Sequence, residues 1–141
     1  MHIPLNVIEI EPDGCHLMIN ATIRSMKANV LIDTGASKTI MDVSRAKHYL
    51  ENPVIQTFDK HLAGIGAGKV QTWVTRCPKM TLGNIDVVDL QLVLIDLKPI
   101  NASYAVFDLP RIDIVMGGDL LRRFGAVIDY GNKSLIISKN A

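Results

Sequence analysis

The stretch VLIDTGAS (residues 30–37) places a carboxylate directly after three apolar residues. A strand that runs into a core should not end in an unpaired charge, because burying such a charge is costly. Gly35 allows a sharp turn in which its N–H can approach the carboxylate of Asp33, and Thr34 and Ser37 add hydroxyl groups beside it. An Asp that only begins a turn explains the tripeptide Asp-Thr-Gly equally well, so other segments have to decide between the two interpretations.

A glycine-rich segment, LAGIGAG (residues 62–68), follows about thirty residues later. Phosphate-binding loops of this composition lead into a helix, whereas the next residues, KVQTWV (69–74), alternate like a strand. We therefore predict a hairpin tip whose glycines ease bending and close approach to a ligand. A simple hairpin turn is the alternative interpretation.

A third segment, IVMGGDLLRRFG (residues 114–125), joins an apolar strand to a short helix through two glycines. Taken alone, it is typical of any junction between a strand and a helix. Its value lies in its position after the other two segments.

The three segments in this order resemble the retropepsin family of aspartic proteases, which includes the retroviral proteases and bacterial and cellular relatives. The resemblance covers residues 18–130, most of the chain. It implies an all-β fold, the closed barrel of the acid proteases with one or two short helices and one lobe per chain. We expect one such domain over residues 1–141.

The resemblance also implies roles for individual residues. Asp33 would be the catalytic acid, Thr34 would hydrogen-bond across a dimer axis, and Gly35 would let substrate approach. The glycine-rich tip would belong to the flap, the hairpin that closes over substrate. The residues expected to contact substrate are Ala36, Ser37, Gly64, Ile65, Gly66, Ala67, Gly68 and Val115.

The third segment carries both implied contacts and a departure from the retroviral pattern. Gly117 would pack beneath the loop of the catalytic acid, and Asp119 would brace the start of the helix. Gly118 stands where retroviral relatives carry an Arg that forms an ion pair, so we expect this helix to be anchored differently. The hairpin after Asp129 also extends beyond the retroviral pattern and is similar to that of cellular and bacterial relatives.

Local patterns predict about eight strands and two short helices. Apolar residues recur at every second position from Cys15 to Ile23, and Ile85 to Ile95 is a long apolar strand. Asp42 is placed to cap a helix that ends before Pro53. Residues 99–110 are expected to form an irregular connection with one helical turn, and residues 126–138 a final hairpin.

The composition limits the kinds of partner that are expected for this chain. Hydrophobic residues make up 48% of the chain and charged residues 21%, with a formal net charge of +1. These values are typical of a globular domain and give no sign of a nucleic-acid surface or a membrane-attracted face. The histidines and cysteines lack metal-ligand spacing, so we predict no metal and no cofactor.

The cysteines and the first residues indicate a reducing compartment. Cys15 and Cys77 are too few and too far apart for a disulfide framework, and we interpret both as reduced core residues. The opening residues, MHIPLNVIEIEPDG, lack the basic and apolar regions of a signal peptide. We therefore expect a cytoplasmic location.

Catalysis by carboxylates requires a second acid. One group must accept a proton from water while another donates to the scissile carbonyl, and the chain offers one suitable loop. Asp129 lies in a similar stretch, AVIDYG (126–131), but the bulky Tyr130 follows it, so we expect Asp129 to begin the last hairpin. The sequence therefore predicts a homodimer that hydrolyses peptide or protein substrates, with apolar substrate side chains weakly favoured.

Two other functions stay open at this point. A module of the same fold could bind peptides without cleaving them, although its Asp-Thr-Gly motif is intact. A regulatory domain of a longer protein could dimerise only in its full context.

Overall fold

The computed structural model describes residues 1–58 and 70–138. Three α-helices are found there, α1 (Ala46–Tyr49), α2 (Lys98–Val106) and α3 (Gly118–Arg123), with a 3₁₀ turn at Val43–Arg45. The strands are β1 (His2–Pro4), β2 (Asn6–Glu11), β3 (Gly14–Ile23), β4 (Met26–Ile32), β5 (Ile40–Asp42), β6 (Gln56–Thr57), β7 (Trp73–Leu82), β8 (Ile85–Ile95), β9 (Ile114–Met116), β10 (Val127–Asp129) and β11 (Ser134–Ile136).

Eight strands form one sheet in the order β2-β3-β4-β9-β5-β8-β7-β6. The sheet closes on itself because β3 also pairs with β7, where Thr22 lies opposite Thr81. Strands β3, β4, β9, β5, β8 and β7 therefore form a six-stranded ring. Closure removes the free edges of these six strands and confirms the predicted closed barrel.

The barrel interior is filled by the apolar faces of its strands. On β3, Ile19, Ala21 and Ile23 are buried, as the alternating pattern predicts. A second apolar cluster lies on the outer side of the ring and includes Met18, Val115 and Tyr104 of α2. Helix α2 thus covers part of the barrel wall beside β9 and β3.

Strands β1, β11 and β10 form a separate three-stranded antiparallel sheet that joins the two ends of the chain. Ile136 lies opposite His2 on one side and Val127 on the other. The predicted final hairpin is present, and β10 pairs on one side only within the described residues.

Helix α2 differs from the expected irregular connection, because it runs for nine residues. Pro99 lies in its first turn, where a missing N–H costs nothing. The side chain of Asn101 accepts a hydrogen bond from the N–H of Ile112 at 2.7 Å and donates to its carbonyl at 3.0 Å. These two bonds hold the helix against the segment before β9. The described residues therefore contain one α-helix more than expected, while the fold class is the one predicted.

The prediction that both thiols lie in the core is wrong for Cys15, which is exposed, and correct for Cys77. The alternating pattern places Cys15 on the inward side of β3, but the first three residues of this strand extend beyond the core. Short strands β5 and β6, with three and two residues, lack a periodic signal and were not predicted. No helix in the described ranges has the length and apolar character needed to cross a bilayer.

Candidate active site

Asp33 lies at the end of β4, where the barrel wall passes into a tight turn. Ile32 pairs with Met116 in the parallel β4–β9 ladder, and the N–H of Asp33 donates to the carbonyl of Met116 at 3.0 Å. The N–H of Gly35 then donates to Asp33 Oδ1 at 2.9 Å, as the sequence predicts. Asp33, Thr34 and Gly35 are exposed, so the carboxylate is held by its own turn and open to a ligand.

Gly117 allows the loop that carries Asp33 to lie directly on the start of α3. A Cβ at this position would come within 2.6 Å of the carbonyl oxygen of Lys38 and 2.8 Å of that of Ala36. The next residue, Gly118, donates its N–H to the same Ala36 carbonyl at 2.7 Å. Close approach of the two backbones therefore requires glycine at 117, in line with its predicted place beneath the loop.

Thr39 and Asp119 join the loop to α3. The N–H of Thr39 donates to Asp119 Oδ2 at 3.0 Å, and the hydroxyl of Thr39 donates to Asp119 Oδ1 at 2.7 Å. The hydroxyl oxygen also accepts a hydrogen bond from the N–H of Gly117 at 3.2 Å. Asp119 thus braces the helix as expected, through Thr39, a fully buried residue that the sequence analysis did not single out. The one feature of the sequence that could have indicated Thr39 is a hydroxyl residue between polar Lys38 and an apolar strand.

The residues predicted to contact substrate are only partly brought together. Ala36 is half-buried against the outer apolar cluster, which contains Val115, and Ser37 is exposed. Val115 is 6% exposed, so its side chain presents little surface. The flap residues Gly64–Gly68 lie outside the described residues. The substrate contacts therefore stay predictions.

A cleft of about 280 Å³ opens beside the carboxylate. Asp33 and Thr34 line one side, and other contributions come from the start of β3 and from the hairpin that follows α3. The remaining lining residues are Cys15, His16, Leu17, Leu31, Ile32, Ile128 and Tyr130. Neither His16 nor Tyr130 was predicted to belong to the site, because no spacing connects such distant segments to residues 33–35.

Asp129 has a different role from Asp33. Its carboxylate accepts hydrogen bonds from the N–H of Asn132 at 3.0 Å and from Asn132 Nδ2 at 2.8 Å. These bonds, from the backbone first and the side chain second, lower the pKa of Asp129. Asp129 therefore closes the β10–β11 turn, as expected from the sequence. Among the described residues, no group of three or more His, Cys, Asp or Glu is arranged to hold a metal ion.

Comparison with known proteins defines the class. The family model described as "Aspartyl protease" matches residues 19–120, which is most of the chain. The chain belongs to this aspartyl protease family, and the resemblance to the retropepsins is confirmed. The matched segment contains Asp33, Thr39 and Gly117 and ends before the hairpin of Asp129.

Among curated proteins, the chain is similar to DNA damage-inducible protein 1. It is 29% identical to the Saccharomyces cerevisiae protein over 139 residues, covering 95% of this chain and 29% of that protein. It is also 29% identical to the Kluyveromyces lactis protein over 123 residues, covering 86% of this chain and 26% of that protein. The chain thus spans less than a third of the length of these relatives.

Solved structures support the same fold. A retropepsin-like aspartic protease from Rickettsia conorii aligns with a TM-score of 0.56 and 20% identity, covering 97% of this chain and 92% of that chain. The retroviral protease-like domain of Ddi1 from Leishmania major aligns with a TM-score of 0.53 and 17% identity, covering 86% of this chain and 87% of that chain. EIAV protease in complex with the inhibitor HBY-793 aligns with a TM-score of 0.52 and 16% identity, covering 82% of this chain and 92% of that chain. The fold is therefore retropepsin-like.

Proposed function

We propose that this chain is an aspartic endopeptidase that works as a homodimer, with the Asp33 carboxylates of two subunits as its catalytic pair. The observation that carries the proposal is the exposed Asp33, anchored by the N–H of Gly35 at the end of a barrel strand. Membership of the aspartyl protease family supports the same chemistry.

The mechanism follows from placing two such carboxylates side by side. Two carboxyl groups a few ångströms apart share one proton, because ionising both is costly. The ionised Asp33 would take a proton from a water as it attacks the peptide carbonyl, and the protonated Asp33 would donate to the carbonyl oxygen. Thr34 would hydrogen-bond across the two-fold axis, and the flap would cover an extended substrate.

Exposed large side chains on the last hairpin favour a second copy of this chain as the partner. Tyr130 lines the cleft with Asp33 and is 60% exposed, and Val127 on β10 is 54% exposed. Because β10 pairs on one side only within the described residues, its outer edge can pair with β10 of another subunit. Such a contact would place the partner next to the Asp33 turn, where its carboxylate is needed.

The test compares cleavage of a mixed peptide library between about pH 4 and 7 by wild type, Asp33→Asn, Asp129→Asn and Asp86→Asn. Asp33→Asn should lower kcat/KM by at least about 100-fold, because it removes the acid–base pair. Asp86→Asn, at an exposed carboxylate of β8, is the matched control. Retained cleavage in Asp33→Asn would contradict the proposal, and equal loss in Asp129→Asn would replace the homodimer by a monomer with two carboxylates.

Mixing subunits tests the dimer directly. When Asp33→Asn protein is titrated into wild type, activity should fall below the value expected from dilution, since each mixed dimer holds one catalytic carboxylate. Activity that follows dilution alone would contradict the shared site. A wild-type protein that binds peptides without cleaving them would indicate a binding domain instead.

A further inference from the structure

One histidine in the cleft is held by a tyrosine from a distant helix. His16 Nδ1 hydrogen-bonds to the hydroxyl of Tyr104, 88 residues away in sequence. The two rings also stack, with centroids 5.7 Å apart and an interplanar angle of 27°. His16 is exposed near the start of β3, whereas Tyr104 is buried in α2 at 6% exposure. Because Asn101 ties α2 to Ile112, the tyrosine is a fixed partner.

The contact with Tyr104 favours one tautomer of the neutral His16 ring. Burial raises the pKa of Tyr104, so its hydroxyl keeps its hydrogen. When that hydroxyl donates to Nδ1, the neutral imidazole carries its hydrogen on Nε2. In the opposite tautomer Nδ1 donates to the hydroxyl oxygen, and the hydroxyl hydrogen loses its acceptor in this half-buried contact. In the doubly protonated ring Nε2 also carries a hydrogen, so Nε2–H is a donor in both charge states.

The histidine belongs to the cleft that also contains Asp33. His16 lines the same cleft as Asp33 and Thr34. Much of the remaining lining is apolar, namely Leu17, Leu31, Ile32 and Ile128. Within residues 1–58 and 70–138, His16 makes its side-chain hydrogen bond through Nδ1. The cleft thus combines apolar walls with a few polar side chains, the arrangement by which binding sites select one polar group of a ligand.

We propose that His16 is a specificity-determining residue, whose Nε2–H binds a hydrogen-bond acceptor in the substrate side chain that enters the cleft beside Asp33. The acceptor is the side-chain oxygen of Asp, Glu, Asn or Gln. This inference rests on the proposed function and refines the weak sequence expectation of apolar substrate side chains. Tyr104 acts as a positioning residue through His16.

The experiment uses the dimeric protein and matched peptides that carry Glu, Gln or Leu at one position at a time on either side of the scissile bond. At one position, wild type should prefer Gln or Glu over Leu, and His16→Phe should lower that ratio of kcat/KM about tenfold. His16→Gln, which keeps a donor, should restore part of the ratio. Tyr104→Phe removes only the hydroxyl and should lower the ratio less. A larger loss for Glu than for Gln would identify a carboxylate as the preferred acceptor.

His48→Phe is the matched control, because His48 also contacts a tyrosine, Tyr49, with ring centroids 4.8 Å apart, and is not among the residues that line the cleft. The ratio of kcat/KM for Gln or Glu peptides over Leu peptides should be the same in His48→Phe as in wild type. An unaltered ratio in His16→Phe would overturn the inference while Asp33-dependent cleavage still supports the proposed function. A weaker dimer in sedimentation with an unaltered ratio would make His16 a subunit contact and would also overturn it. No cleavage by dimeric wild type would overturn both.

Discussion

Two turns of this chain have nearly the same local sequence and different surroundings. VLIDTG (30–35) and AVIDYG (126–131) each place an Asp after an apolar strand and two residues before a Gly. In both, the carboxylate accepts a hydrogen bond from its own turn: Asp33 from the N–H of Gly35 at 2.9 Å, and Asp129 from the N–H of Asn132 at 3.0 Å. Local hydrogen bonding therefore does not distinguish them.

The difference lies in what packs against each turn. The loop after Asp33 rests on the start of α3, through the close approach at Gly117 and the bonds between Thr39 and Asp119. The turn after Asp129 is exposed, and a Cβ on Gly131 would meet only Asp129 Oδ1, at 3.5 Å. A carboxylate becomes a candidate catalyst here because a second loop fixes its backbone, and the local turn alone does not do this.

Substituting the two glycines should separate the turns most clearly. Gly117→Ala forces apart the loop of Asp33 and α3, so we expect a loss of about 1–3 kcal/mol in the free energy of unfolding, as for other overpacked sites. Cleavage should fall at least about tenfold, because the carboxylates are displaced. Gly131→Ala should change stability by less than about 0.5 kcal/mol.

Urea unfolding and peptide cleavage measure both effects. A Gly117→Ala protein with wild-type stability and activity would show that the close approach at 117 is not needed. Circular dichroism separates a misplaced loop from a protein that does not fold.

Removing the hydroxyl of Thr39 should disturb the contact between the Asp33 loop and α3 less than Gly117→Ala does. Thr39→Val removes the bond to Asp119 Oδ1 and leaves the buried N–H of Gly117 without its acceptor. We expect a loss of about 1–2 kcal/mol in urea unfolding. Thr81→Val is the control, because Thr81 also donates to a carboxylate, Asp86 Oδ1 at 2.8 Å, but at an exposed site. Equal effects in the two variants would argue that burial of Thr39 contributes nothing.

The turn of Asp129 should give the smallest effect, visible as a pH dependence. Its pKa is lowered in the folded protein by the bonds from Asn132. A lowered folded pKa contributes stability above the unfolded value of about 3.9, and this contribution is lost as pH falls through the folded pKa. Asp129→Asn should therefore slightly lower Tm at pH 7, and the difference from wild type should shrink below about pH 4. A difference that grows on acidification would contradict this account.

The main features of the fold and of the Asp33 turn could be predicted because they depend on short stretches of chain. The alternation of apolar residues identified β3, and a long apolar run identified β8. The predicted limits of β8, Ile85 to Ile95, are those observed. The Asx-type bond from Gly35 follows from one Asp and one Gly two residues apart. Helix α2 is longer than the single helical turn expected within residues 99–110, and Pro99 is tolerated in it because it lies in the first turn.

Cys15 shows where a local pattern fails. The alternation places it in the same series as the buried Leu17 and Ile19, but burial also depends on whether the core extends that far along the strand. Thr39 shows the same limit, since a buried hydroxyl acquires its role only from Gly117 and Asp119, nearly eighty residues away in sequence.

The sequence by itself determined the strand periods, the tight turn at Asp33 and the ordered segments that indicated an aspartyl protease. These features depend on backbone and side-chain geometry over a few consecutive residues. Only the tertiary structure decided the closure between Thr22 and Thr81, the seat of the Asp33 loop on Gly117, and the cleft that brings His16, held by Tyr104, to the carboxylate. The physical reason is that each of these contacts joins segments far apart in the chain, and their pairing follows from the packing of the whole barrel.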